Sequence, residues 1–195
     1  MGGKKSRKIQ IKPDWKWITS IFGITIGISA TMSFLSNEIL SAGSMALSFV
    51  VLLAIVLIGI IFDIVGMAVT SADEKPFHSM AAKRIPEAAE AIRMIRRADR
   101  VSSFCNDVVG DICGVVSGSA SAVIAARVVM GAQPLVATIV QLLMSAVVAG
   151  LTVGGKAFGK SLAMNNSTMI IHTAAKLIHS VRTFPQKAKK RFSRS

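Results

Sequence analysis

"SAGSMALSFVVLLAIVLIGIIF", residues 41–62, carries no ionisable side chain and runs directly into Asp63. A helix crossing the hydrocarbon of a bilayer needs roughly 20 mainly apolar residues, so this run is long enough to span. It lacks the alternation of an outer-membrane barrel strand and is about twice that strand's length of about 10 residues. Within lipid only a helix then satisfies every backbone N–H and C=O. Three more uncharged runs lie outside it, Ile18–Leu35, Ile112–Ala126 and Leu135–Gly155, the second of which must borrow its flanks to span. The whole chain of 195 residues is 52% hydrophobic with a mean hydropathy of +0.57, more apolar than a soluble domain of this length. The class implied is an all-α integral membrane protein with four transmembrane helices.

The positions of the cations set the topology. Residues 1–16, residues 71–100 and the stretch from 156 onward together hold 22 of the 23 Lys and Arg residues, and four spans place all three on one side. By the positive-inside tendency that side is the cytoplasm, so the expectation is a multi-pass protein of the cell membrane with both termini cytoplasmic. Arg127 alone falls near the outer end of the third span, where it is expected to snorkel outward. Trp15 and Trp17 open the first span, a suitable place for interfacial aromatics. The first span is longer than a usual signal-peptide core and reads as an uncleaved anchor, although Ser41-Ala42-Gly43 has a peptidase-like look. Gly2 and Ser6 fit a myristoylation pattern that would add little to four spans.

A net charge of +13 raises the question of nucleic acid. Topology plus attraction of juxtamembrane cations to anionic headgroups, on the order of 1 kcal/mol each, accounts for it without a nucleic-acid partner. Cys105 and Cys113 would lie about 12 Å apart along one helix, too far for a mutual disulfide, and read as small core residues. No nucleophile set, zinc motif or phosphate loop appears, so the chain does not read as an enzyme and implies no cofactor.

Two cytoplasmic amphipathic juxtamembrane helices are expected. In "PEAAEAIRMIRR", 86–97, Ile85, Ala88, Ala89, Ile92 and Ile95 recur at helical steps, with acids before bases as the helix dipole prefers. After Gly154-Gly155, Leu162, Met169, Ile170, Leu177, Ile178, Val181 and Phe184 form an apolar stripe opposite His172, Lys176 and His179. Those histidines read as solvated face residues, with no carboxylate or thiol beside them in the sequence. Pro185 is expected to end this helix and leave 185–195 as a basic, disordered tail. "GAQP" joins spans three and four as a tight hairpin, and Gly110, Gly114, Gly118, Ala122 and Ala126 give the third span a small-residue face for close packing within a monomer or across a dimer.

The chemistry, if any, lies in the carboxylates. With cytoplasmic boundaries near 72 and 102, Asp63 and Asp111 each sit about nine residues in, roughly 13 Å deep. An unpaired charge there costs at least about 2.5 to 3.5 kcal/mol, so something should neutralise it. Asp63, Asn106, Asp107, Asp111, Ser102 and Ser103 could offer oxygen to a hard cation. Two other readings remain open: a third span that starts later, leaving Asn106 and Asp107 at the water interface, or a salt bridge to Lys156.

The order of elements is similar to the transmembrane domain of the CorB/CorC and cyclin-M (CNNM) family. "GKAFGKSLA", 155–163, resembles that family's Gly-Glu-x-x-Pro-Lys-x-x-Ala signature through Gly155, Lys160 and Ala163, and "RRADRVSSF", 96–104, resembles the entry to its middle span. The likeness covers about residues 44–184, with residues 1–43 forming a basic N-terminus and an added first span. Lys156 stands where the family has Glu, and Gly159 where it has Pro. The family's Ser-Glu would fall on Val65-Gly66, and its Gly-Asn-Asn near Val108-Val109-Gly110, with Asn106-Asp107 almost a turn early. The expectation is a core without the family's CBS pair, since only eleven residues follow 184. The resemblance implies a homodimer that moves or extrudes divalent cations (Mg²⁺ or Co²⁺), with Gly155 and a displaced Asn106 left of the family's site. Combined with the depth of the carboxylates, the expectation is that Asp63 and Asp111 coordinate or neutralise the ion, with Asn106 and Asp107 at the inner mouth and backbone carbonyls approaching beside Gly155. The alternative is a non-transporting membrane scaffold that keeps the fold without the ion site and binds anionic lipid or a partner through its basic surfaces.

Overall fold

The computed structural model describes residues 15–192, and the side chains of all but 41, 42 and 184–192. The basic residues before Trp15, the Gly2/Ser6 pattern and residues 193–195 lie outside the described residues. Four helices are long and apolar enough to cross a membrane, and among the described residues there is no strand. They are α1 (Trp15–Ala42), α2 (Met45–Ser71), a composite third helix over Ala98–Val128, and α7 (Pro134–Asn165). The composite consists of α5 (Ala98–Ser103), a π-helical segment (Phe104–Gly110) and α6 (Asp111–Val128). Three shorter or amphipathic helices complete the chain: α3 (Lys75–Ala82), α4 (Ala88–Arg96) and α8 (Ser167–Phe192).

Local chemistry sets the breaks. The Ser44 hydroxyl accepts the Leu47 N–H at 3.3 Å and so caps α2, an interaction worth about 1 kcal/mol. Gly131, at φ 82°, turns the chain between α6 and α7, and Pro134 then starts α7 where a missing N–H costs nothing. Arg84, at φ 58°, makes the corner between α3 and α4.

α2 is the central helix. Leu52 and Val56 pack with Leu40 of α1, Ala120 and Ile124 of α6, and Val148 of α7, while Ile55 packs with Val108, Ile112 and Val116. Glycines let the backbones come close: a Cβ on Gly59 would stand 2.9 Å from the Cys113 Cβ, and one on Gly159 2.6 Å from Ile64 Cγ1. α1 rests on the third helix through Ile21, Ile28 and Met32, yet among its described side chains only Ser36 and Leu40 are buried.

At the end away from the α1–α2 turn, a second core gathers Val69 of α2, Phe77 of α3, Ala91 and Met94 of α4, Ala163 of α7, and Ile171 and Ala175 of α8. The expected α4 stripe forms in part: Ala88 is buried and Ile92 and Ile95 pack on this core beside Ala91 and Met94, whereas Ala89 is exposed. The α8 stripe is rotated: the helix docks through Ile171 and Ala175, with Ile170 against the same core, whereas Met169, Leu177, Ile178 and Val181 face outward. Leu162 belongs to α7, and the Phe184 side chain is outside the described set. Polar ties join α8 to α4: Arg182 to Glu90 at 2.7 Å and His172 to Glu87 at 3.5 Å. A carboxylate therefore does stand beside His172, from a segment 85 positions earlier that sequence spacing could not bring there. α8 also continues through Pro185 to Phe192, because the Gln, Lys and Ala that follow are good helix formers.

Candidate functional site

The carboxylates separate. Asp63 meets the ammonium of Lys156, with Oδ1 and Nζ 3.5 Å apart and the side chains 17% and 25% exposed. Gly110 provides the space, since a Cβ there would lie 3.3 Å from Lys156 Nζ and 3.8 Å from Asp63 Oδ1. The ion pair thus joins α2 to α7 across the end of the π-helical segment. Of the readings left open by the sequence, the salt bridge to Lys156 is the one formed at Asp63.

The π-helical segment explains why Asp111 is elsewhere. One extra residue in a helical turn rotates everything after it by about 100° relative to an unbroken α-helix. Gly110 then faces Asp63, while Asp111 is exposed on the far side with Val115 and Ser119. Asp107 is exposed too and lines a cavity against α1. Neither Asp107 nor Asp111 makes an ion pair or hydrogen bond among the described residues. Among those residues, no three His, Cys, Asp or Glu side chains cluster closely enough to hold a metal ion.

Asn106 turns inward against Gly66, whose Cβ, if it had one, would stand 2.8 Å from Asn106 Cγ. Its amide donates to Ser102 Oγ at 3.3 Å, and its Oδ1 is buried without a partner. That orphaned oxygen lies one turn of α2 beyond Asp63. Gly155 receives the Ile60 side chain, so its bare backbone serves packing between α2 and α7. Of the five residues expected to serve a cation, Asp63 and Asn106 face the interior where α2, the third helix and α7 meet. Gly155 is in the α2–α7 contact, and Asp107 and Asp111 look away. Cys105 and Cys113 are buried free thiols.

Arg127, expected to snorkel outward, instead turns back to α1. Its guanidinium donates to the carbonyl oxygens of Leu40 and Gly43, the latter at 3.1 Å, and to Ser48 Oγ at 3.4 Å. The last carbonyls of a helix lack intrahelical donors, which makes them better partners than lipid or water at an apolar boundary. The sequence holds no signal for this contact, whose partners are 79 to 87 positions away.

Comparison with protein-family models, with curated proteins and with solved structures finds no match to this chain.

The close contact at Gly66 gives a signed expectation. Gly66→Ala should destabilise the protein by about 1–2 kcal/mol, because the added methyl displaces a buried amide. In an Asn106→Ala background the same change should be neutral or stabilising by a few tenths of a kcal/mol, since Ala is the better helix former. Chemical unfolding in micelles measures both, and equal effects in the two backgrounds would disprove the contact's role.

Proposed function

We propose that this chain is a four-span protein of the cell membrane, with both termini in the cytoplasm, that acts as a scaffold or interaction protein and not as a cation carrier. One observation carries the reading: the charge on Asp63, which a transported ion would otherwise neutralise, already has the Lys156 ammonium 3.5 Å away. The separation of Asp107 and Asp111 from that pair supports it, as does Lys156 standing where the CorB/CNNM-like pattern has an acid. The cytoplasmic face is a basic platform. Two of its glutamates are engaged with its own cations, Glu90 with Arg93 and Arg182 and Glu74 with Arg96, and Lys83, Arg84, Arg97 and Lys176 are exposed toward anionic headgroups or an acidic partner. The outward apolar residues of α8 would lie in the inner leaflet. Gly114 and Gly118, with nothing within 4 Å of where a Cβ would be, line a groove with Ser145, Ala149 and Thr152 of α7, and a second copy packed on this small-residue surface is in keeping with a homodimer.

A second reading, transport or efflux of Mg²⁺ or Co²⁺, is favoured by the orphaned Asn106 Oδ1, buried against Gly66 one turn along α2 from Asp63. A cation entering there would take Asp63 from Lys156. Purified protein in liposomes under Mg²⁺ and Co²⁺ gradients separates the two. The scaffold reading expects flux no greater than in empty liposomes, together with retention on vesicles containing anionic lipid. Flux that Asp63→Asn abolishes would overturn it in favour of transport, and loss of flux in Asp111→Asn would extend the path to that residue.

A further inference from the structure

A cavity of about 390 Å³ lies between α1 and the π-helical segment, away from the Asp63–Lys156 pair. Trp17, Ile21 and Phe22 of α1 face Ser103, Asp107 and Val108 across it. Its volume falls within the roughly 300–1,000 Å³ of small-molecule sites. Its chemistry is lopsided: an apolar, aromatic wall and one carboxylate that no described cation neutralises. Arg100 stacks over Trp17, its guanidinium carbon 5.0 Å from the ring centroid.

That lining selects among cations. A hard divalent ion wants about six or more oxygens, whereas this wall offers one carboxylate and the hydroxyls of Ser103 and Thr25. A large, weakly hydrated organic cation brings its own apolar surface for the isoleucines and Phe22. It also loses little hydration on entry and can place its charge against the Asp107 carboxylate. We propose that this cavity binds a lipophilic organic cation, with Asp107 as counter-ion and α1 supplying the apolar wall. The site is independent of the scaffold reading.

The test uses the full chain in detergent micelles with two probes of nearly the same shape and opposite charge, tetraphenylphosphonium and tetraphenylborate. The only tryptophans are Trp15 and Trp17, both at this end of α1, so their fluorescence reports occupancy. Saturable quenching by tetraphenylphosphonium is expected, weakened about tenfold or more in Asp107→Asn. Thr25→Phe, which fills the cavity and keeps the charge, should weaken it comparably. Absence of saturable binding in the wild type, binding within twofold of wild type in Asp107→Asn, or equally tight binding of tetraphenylborate would overturn the proposal. Should Asp107→Asn fail to fold, Thr25→Phe and the probe of opposite charge still decide.

Discussion

Lys156→Met is expected to destabilise the fold by about 3 kcal/mol, the largest effect of any single substitution on the charged residues of the core. The ammonium it removes stands 3.5 Å from Asp63 Oδ1, and no other cation replaces it among the described residues. Asp63 would then keep a half-buried charge between α2 and α7, or take up a proton. The desolvation cost that the pair shares would fall on one partner. Removing both charges should behave differently: the double variant Asp63→Val/Lys156→Met is expected within about 1 kcal/mol of wild type, because neither charge remains to be desolvated. Unfolding in bicelles, with all four members of the cycle, gives the coupling energy directly. A single variant as stable as wild type, or a double variant as weak as the sum of the singles, would show that the pair does not govern this junction.

Arg127→Met should cost about 2 kcal/mol, and the damage should be local. Three charge-assisted hydrogen bonds disappear, two to the carbonyls of Leu40 and Gly43 at the last turn of α1 and just beyond it, and a longer one to Ser48 in the first turn of α2. Because the rest of α1 buries so little, the loss should appear first as faster hydrogen exchange and easier proteolysis in α1, with α2, α6 and α7 still protected. Arg127→Lys should recover only part of the loss, since a point charge cannot serve diverging carbonyls as a planar fork does. Uniform loosening of all four long helices would contradict a tether specific to α1.

The four long helices were legible because lipid imposes length and polarity on a spanning segment, and residues 41–62 meet both demands without help from the rest of the chain. The turns were legible through Pro134 and the glycine before it. The helical faces were less so. In α4 and α8 apolar residues occupy more than one side, and periodicity could not tell the side that docks, Ile171 and Ala175, from the side that looks outward. At the candidate site, sequence depth placed Asp63 and Asp111 at one level, but angle around the helix decides contact. That angle depends on the π-helical segment, a change of hydrogen-bonding register that leaves no mark in residue type. Lys156 was visible as one possible partner of the carboxylates; the contact of Arg127 was not, because backbone carbonyls accept without regard to sequence.

The grip of Arg127 on α1 also constrains the order of assembly during synthesis. The carbonyls it binds are made 84 to 87 residues before the guanidinium itself, so α1 has no latch until the third long helix has been made. α7 is made later still, so the Arg127 latch on α1 can close before the last long helix exists.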